Sequence, residues 1–159
     1  MGIDISKLKL DISILDSLTL KSEHFIIENN PKNISLFVEK LIKKSDITQC
    51  LFCCENTGIY TNHFSNVSVN LNLDLWIVPA IEIKKSKGIS RGKNNKIDAK
   101  DISYYSYRNI DKLKLFTPAE IDVQKLKILY TEREKMLKAL LLVQSTKENK
   151  AFVNKTVFK

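Results

Sequence analysis

The sequence predicts a mixed α/β sheet with flanking helices, followed by one long helix of coiled-coil type. Three observations lead there. Short apolar or alternating runs of strand length recur up to Pro79. Segments of helical spacing separate the later runs, which is the order that joins parallel strands by crossovers. From Glu120 to about Lys147 the chain then runs without a single Gly or Pro.

Each element has its own signal. MGIDISK is a short apolar run. LKLDISIL alternates, setting Leu8, Leu10, Ile12 and Ile14 on one face of a half-buried strand. The two follow almost directly, as in a hairpin. EHFIIEN is a third strand, closed by NNPKN. In NISLFVEKLIKK, Ile34, Phe37, Val38, Leu41 and Ile42 share a helical face, with Asn33 as the expected N-cap. TQCLFCCE reads as a short strand buried on both sides. After the turn at NTG, IYTNHFSNVSVNL is a second helix, and LDLWIVP is a strand ended by Pro79. KIDAKDISYYSYRN is a helix with Ile97, Ile102 and Tyr105 inward, followed by the extended LKLFTP. The order is an antiparallel meander continued by parallel strands.

In the long helix, Val123, Leu126, Tyr130, Leu137 and Leu140 fall on a three-four repeat interrupted by Arg133 and Gln144. Such a seam is longer than a compact domain buries alone, so a two-chain coil is preferred over packing on the chain's own domain. The expected division is a domain over residues 1–118, an oligomerisation helix over 119–150 and a tail over 151–159.

Composition narrows the function. At 43% hydrophobic and 28% charged, the 159 residues are globular rather than disordered. No apolar run is long enough to cross a bilayer, and the start is charged within four residues, so neither a membrane partner nor a signal peptide is expected. Cys50, Cys53 and Cys54 are odd in number and bunched, which points to a reducing cytoplasm and to small apolar residues of a buried strand. His24 and His63 lie at no spacing that would complete a zinc site with them.

The net charge of +8 favours a polyanion partner. Lys84, Lys85, Lys87, Arg91, Lys93 and Lys96 form a run of six cations without an acid, expected to hold a phosphate backbone and, with two glycines, to be mobile without it.

Directly after that run come Asn95, Asp98 and Asp101, spaced by three. Solvated helix acids often look like this. Two further acids give the spacing meaning. Asp4 lies between Ile3 and Ile5 and so faces away from them, in a strand expected at the centre of the sheet. Glu55 ends the CLFCCE strand, and sites in open α/β sheets collect at the carboxyl ends of strands. Carboxylates drawn from several elements suit a pair of hard divalent cations clamping a phosphodiester.

GIDISKLKLD, ENTGIY and RGKNNKIDAKDI, in that order, resemble the amino-terminal domain of the DEDD, RuvC-like insertion-sequence transposases, the group that includes the Piv pilin-gene invertase. That group carries patterns close to G-I-D-V-S-K-x-x-L-D, E-x-T-G-x-Y and K-[TN]-D-x-x-D-A. The match covers roughly residues 2 to 110. The resemblance implies a ribonuclease-H-like fold and recombination of DNA dependent on two Mg²⁺ or Mn²⁺ ions. It implies a structured guide RNA encoded by the element, homo-oligomers through the helix over 120–147, and a bacterial cytoplasmic setting. It also implies a further domain with a nucleophilic serine, which this sequence lacks. A fragment, weak or inactive in isolation, is therefore expected.

Carried over residue by residue, the resemblance makes Asp4, Glu55 and Asp98 catalytic acids and metal ligands. Asn95 stands where the third acid belongs, and Asp101, one turn on, is the candidate to replace it. Lys7 joins the basic run as a candidate phosphate contact. Two other readings stand beside this one. One is a nucleic-acid-binding and oligomerisation module with impaired chemistry. The other is a stand-alone ribonuclease-H-like nuclease or junction resolvase.

Overall fold

A computed structural model describes residues 1–44, 50–86 and 94–157. The chain divides into two compact units, Met1–Thr117 and Pro118–Lys159. The first holds a five-stranded sheet. Its strands are β1 (Gly2–Ile5), β2 (Lys9–Leu15), β3 (Ser22–Glu28), β4 (Phe52–Glu55) and β5 (Leu75–Val78), in the spatial order β3-β2-β1-β4-β5. β1, β2 and β3 pair antiparallel, while β4 and β5 continue from β1 in parallel. The meander joined to a parallel half is the predicted arrangement, with β1 at its centre.

Strand alternation splits the interior in two. Ile3, Ile5, Leu10, Ile12, Phe52, Cys54 and Leu75 share a core with Ile34 and Val38 of α1 (Pro31–Lys44) and with Phe64 and Val67 of α2 (Asn62–Asn70). On the opposite side, Cys53, Trp76 and Val78 pack with Ile83 of α3 (Ala80–Ser86) and with Ile102 and Tyr105 of α4 (Asn95–Arg108). Each fully buried side chain of the size of Ile or Phe contributes about 1.5–3 kcal/mol.

One glycine sets how close α4 comes. A Cβ on Gly2 would meet the Ala99 carbonyl oxygen and the Ser103 backbone nitrogen, so the backbone of α4 rests directly on β1. Beside this contact the hydroxyls of Ser13 and Ser103 meet at 3.3 Å. Small residues on both elements permit the approach, and it fixes which side of α4 is buried.

Several local expectations need correction. Asn33 does not cap α1. The helix starts at Pro31, and the side-chain oxygen of Asn30 accepts from the Asn33 backbone N–H at 2.9 Å. Proline suits the first helical position because no N–H is needed there. Leu8 is 77% exposed because β2 begins only at Lys9, leaving Leu8 in the turn. Ile42 is exposed at the edge of the α1 stripe. Ile97 is exposed because the seating of Ala99 and Ser103 on β1 turns it to the far side of α4. Residues 80–86, of which only 84–86 are read from sequence, as the start of the basic run, form α3, with Ile83 as its buried anchor and Glu82 favourably placed in its first turn.

The second unit is α5, a helix over Ile121–Val157. Val123, Leu126, Tyr130, Leu137 and Leu140 are all exposed on it.

Candidate functional site

Register builds the site. The β1–β2 ladder sets Asp4 directly opposite Asp11. The β1–β4 ladder pairs Gly2 with Cys53 and Ile3 with Cys54, and one further step sets Asp4 level with Glu55. Backbone register thus sets three acidic residues in a row across three adjacent strands. Their chain neighbours Ile3, Ile5, Leu10, Ile12 and Cys54 all belong to the core against α1 and α2, so the acids occupy the α4 side of the sheet.

The start of α4 comes to the same rim. Asn94 caps the helix, its side-chain oxygen accepting from the Lys96 N–H at 3.0 Å. Two rows then run along the helix. Asn95 heads the row through Ala99 and Ser103, which lies over β1 and β2. Asp98 heads the row through Ile102 and Tyr105, which packs with Cys53, Trp76 and Val78 on β4 and β5. Asn95 therefore reaches the Asp11 end of the acid row, with Nδ2 donating to Asp11 Oδ2 at 3.5 Å. Asp98, half-buried, belongs to the β4 side, where Glu55 ends its strand. Asp101 is half-buried but lies off both rows.

Asp11 is the residue that sequence reasoning missed. Its side chain is only 3% exposed, with Lys9 Nζ at 3.0 Å from Oδ2 and His24 Nε2 at 3.0 Å from Oδ1. A signal was present: GIDISKLKLD ends on it, and a hairpin that closes tightly after Ile5 brings its last residue back beside Asp4.

The loops that follow β1 and β4 are tied together. Buried Asn29 donates through Nδ2 to the Ser6 carbonyl at 2.8 Å and to the Tyr60 carbonyl at 3.1 Å. Among the described residues its Oδ1 has no hydrogen-bond partner. Gly58, in the second loop, has a φ of +68°, which glycine adopts without strain.

Lys7 is exposed just after β1, Lys84 and Lys85 on α3, and Lys96 on the first turn of α4. Lys87, Arg91 and Lys93 lie outside the described residues, as does most of the run expected to be mobile.

The donor set is made of oxygens alone: the carboxylates of Asp4, Glu55 and Asp98, and the amide oxygen of Asn95. That chemistry suits Mg²⁺ or Mn²⁺. Among the described residues, no three His, Cys, Asp or Glu side chains stand close enough together to hold an ion. The kinds of ligand fit a hard cation, while the acids are arranged as a row and a helix end rather than as a closed cage. The cysteines do not compete for this role. Burial pushes the Cys53 thiol up to about 12 and the Cys54 thiol further still, so neither offers a thiolate.

Among the described residues no helix is long and apolar enough to cross a membrane. No curated protein matches the chain's sequence. Solved structures do match in fold. T. thermophilus RuvC in complex with a Holliday junction substrate superposes with a TM-score of 0.51 at 10% identity, covering 72% of this chain and 97% of that one. Thermus thermophilus RuvC in another structure gives 0.48 at 11% identity, over 72% and 98%. The first of these identifies the sheet and its flanking helices as RuvC-like, of the ribonuclease-H-like class. The family model DEDD_Tnp_IS110, described as "Transposase", matches residues 1–148. That match, over nearly the whole chain, places it in the DEDD_Tnp_IS110 transposase family.

Proposed function

We propose that this domain carries out divalent-metal-dependent phosphodiester chemistry on DNA as the RuvC-like part of a transposase. The observation that carries this reading is the level row of Asp4 and Glu55 on adjacent parallel strands, with Asp98 at the head of the α4 row packed over the same side. Asp4, Glu55 and Asp98 would hold Mg²⁺ or Mn²⁺, with Asn95 as a neutral oxygen ligand. A metal held by these residues would supply positive charge to offset that on the attacking and leaving oxygens of the phosphodiester. The chain's own work is to fix those ligands on rigid elements and to hold the backbone. Lys7, Lys84, Lys85 and Lys96, all exposed, support phosphate contact. The RuvC relative bound to a junction supports DNA as the partner. A structured guide RNA and a homo-oligomer through the exposed apolar residues of α5 complete the reading.

A second reading has one observation in its favour. Asn95 brings no charge, and its amide nitrogen is engaged by Asp11. On that reading the domain binds nucleic acid and assembles, with its chemistry impaired.

Calorimetric titration with Mg²⁺ and Mn²⁺ separates them. The first reading expects binding that Asp4→Asn and Glu55→Gln each abolish in a folded protein. No metal binding, with salt-sensitive DNA binding retained, selects the second. In either case, replacing Lys84, Lys85 and Lys96 by Ala flattens the salt dependence of DNA binding, by roughly one unit of slope for each phosphate that is no longer neutralised.

A further inference from the structure

We infer that Asp11 is a positioning residue, which, held by Lys9 and His24, keeps the Asn95 amide turned with its nitrogen toward β2 and its oxygen toward the rest of the acid row. The inference rests on the metal reading above and concerns a residue outside the acids carried over from the family patterns.

The argument begins with what an amide needs at this place. A carboxylate presents an oxygen whichever way it flips. An amide presents either an oxygen, which ligates a cation, or an NH₂ group, which repels one. Asn95 can therefore serve as a ligand only if something fixes its orientation. Asp11 is the group that faces it, and a carboxylate only accepts hydrogen bonds. At 3.5 Å the contact is long for a hydrogen bond, but orientation requires only that the positive end of the amide dipole face the negative charge. The amide oxygen is thereby directed away from Asp11.

Asp11 is itself poorly disposed to bind metal. Its Oδ1 is engaged by His24, and its Oδ2 by Lys9 and Asn95. Its side chain is almost wholly buried, so these partners also stabilise a charge taken out of water. The arrangement is that of an outer residue orienting a ligand, where loss of the outer residue costs about 10- to 100-fold in metal affinity.

The test is a double-mutant cycle on Mg²⁺ and Mn²⁺ affinity in the full chain, read by calorimetry. Asp11→Asn is expected to weaken binding about tenfold in the unmodified background. In an Asn95→Ala background it should have almost no further effect, because there is no amide left to orient. Lys9→Met, which loosens Asp11 from a partly exposed side chain, should show a smaller loss that also vanishes with Asn95→Ala. It carries the cycle if Asp11→Asn does not fold. Equal losses in both backgrounds, in a chain that binds metal, overturn the proposal alone and make Asp11 a ligand or a purely electrostatic contributor. Failure of the unmodified chain to bind either ion overturns the metal reading, and the proposal with it.

Discussion

Gly2 lies against the backbone of Ser103 so closely that a methyl group at position 2 would clash with the Ser103 nitrogen. This contact joins the central strand to the helix that brings Asn95 and Asp98 to the rim. The first motif of the sequence therefore does two things: Asp4 supplies an acid, and Gly2, two residues earlier, sets the distance to the helix that supplies others.

Gly2→Ala tests the contact. The obstructing atoms are backbone and cannot rotate aside, so α4 must lift. Overpacking of this kind costs about 1–3 kcal/mol, to be read by chemical denaturation. If the metal reading holds, Mg²⁺ affinity should fall as well, because Asn95 and Asp98 move with the helix. Unchanged stability would show that α4 is not seated as described.

Asn95→Asp should act in two directions. It adds a charge to the candidate ligands, so Mg²⁺ or Mn²⁺ should bind on the order of tenfold more tightly. It also sets a carboxylate facing Asp11 where a nitrogen now faces it. Without metal the variant should therefore be less stable, on the order of 1 kcal/mol for each pKa unit of mutual repulsion. Melting curves with and without metal read both effects. Should Asn95→Asp leave affinity unchanged while Asp101→Asn abolishes it, the helix acid that matters is one turn further along.

Tyr105 gives a pH dependence with a definite sign. Burial, and then its hydrogen bond to Glu82 at 3.0 Å, push the phenol from its ordinary 10.0 up to about 12. The folded chain thus keeps the proton where the unfolded chain releases it. The stability this provides is whole below pH 10 and is lost as pH rises toward 12. Tyr105→Phe cannot titrate, so its stability should decline less steeply across that window. At neutral pH the variant should lose about 1 kcal/mol with the hydrogen bond. Parallel slopes for the two proteins in thermal melts between pH 9 and 12 would contradict this.

The exposed apolar residues of α5 lead to a prediction about assembly. If the helix forms a seam with another copy, replacing Leu137 and Leu140 by Asp should give a folded monomer by sedimentation velocity. An unmodified chain already monomeric at high concentration would remove the coil reading.

Much of the domain was legible because it depends on local periodicity. Alternation in LKLDISIL and the apolar run before Glu55 are consequences of burying one face or two, and they predicted the strands, their order and the central place of Asp4. The motifs around Asp4, Glu55 and Asp98 could likewise be read from residue type and spacing. Helix faces were less secure. Ile97 has as good an apolar claim to the core as Ile102, and composition alone does not rank them.

What the sequence by itself determined is most of the elements, though not α3, together with the acid on the central strand, the family and the amide at position 95. The tertiary structure decided which groups meet. Gly2 chose the buried side of α4 by letting backbone touch backbone, which sent Ile97 outward and carried Asn95 toward β2. The first motif ends on Asp11, but its partners became visible only then. Lys9 is the neighbour of Asp11 on one face of β2, but His24 and Asn95 lie far along the chain, and only strand register and the seating of α4 bring them to its carboxylate. A buried charge needs partners, and a linear sequence does not show which distant side chains will be near enough to provide them.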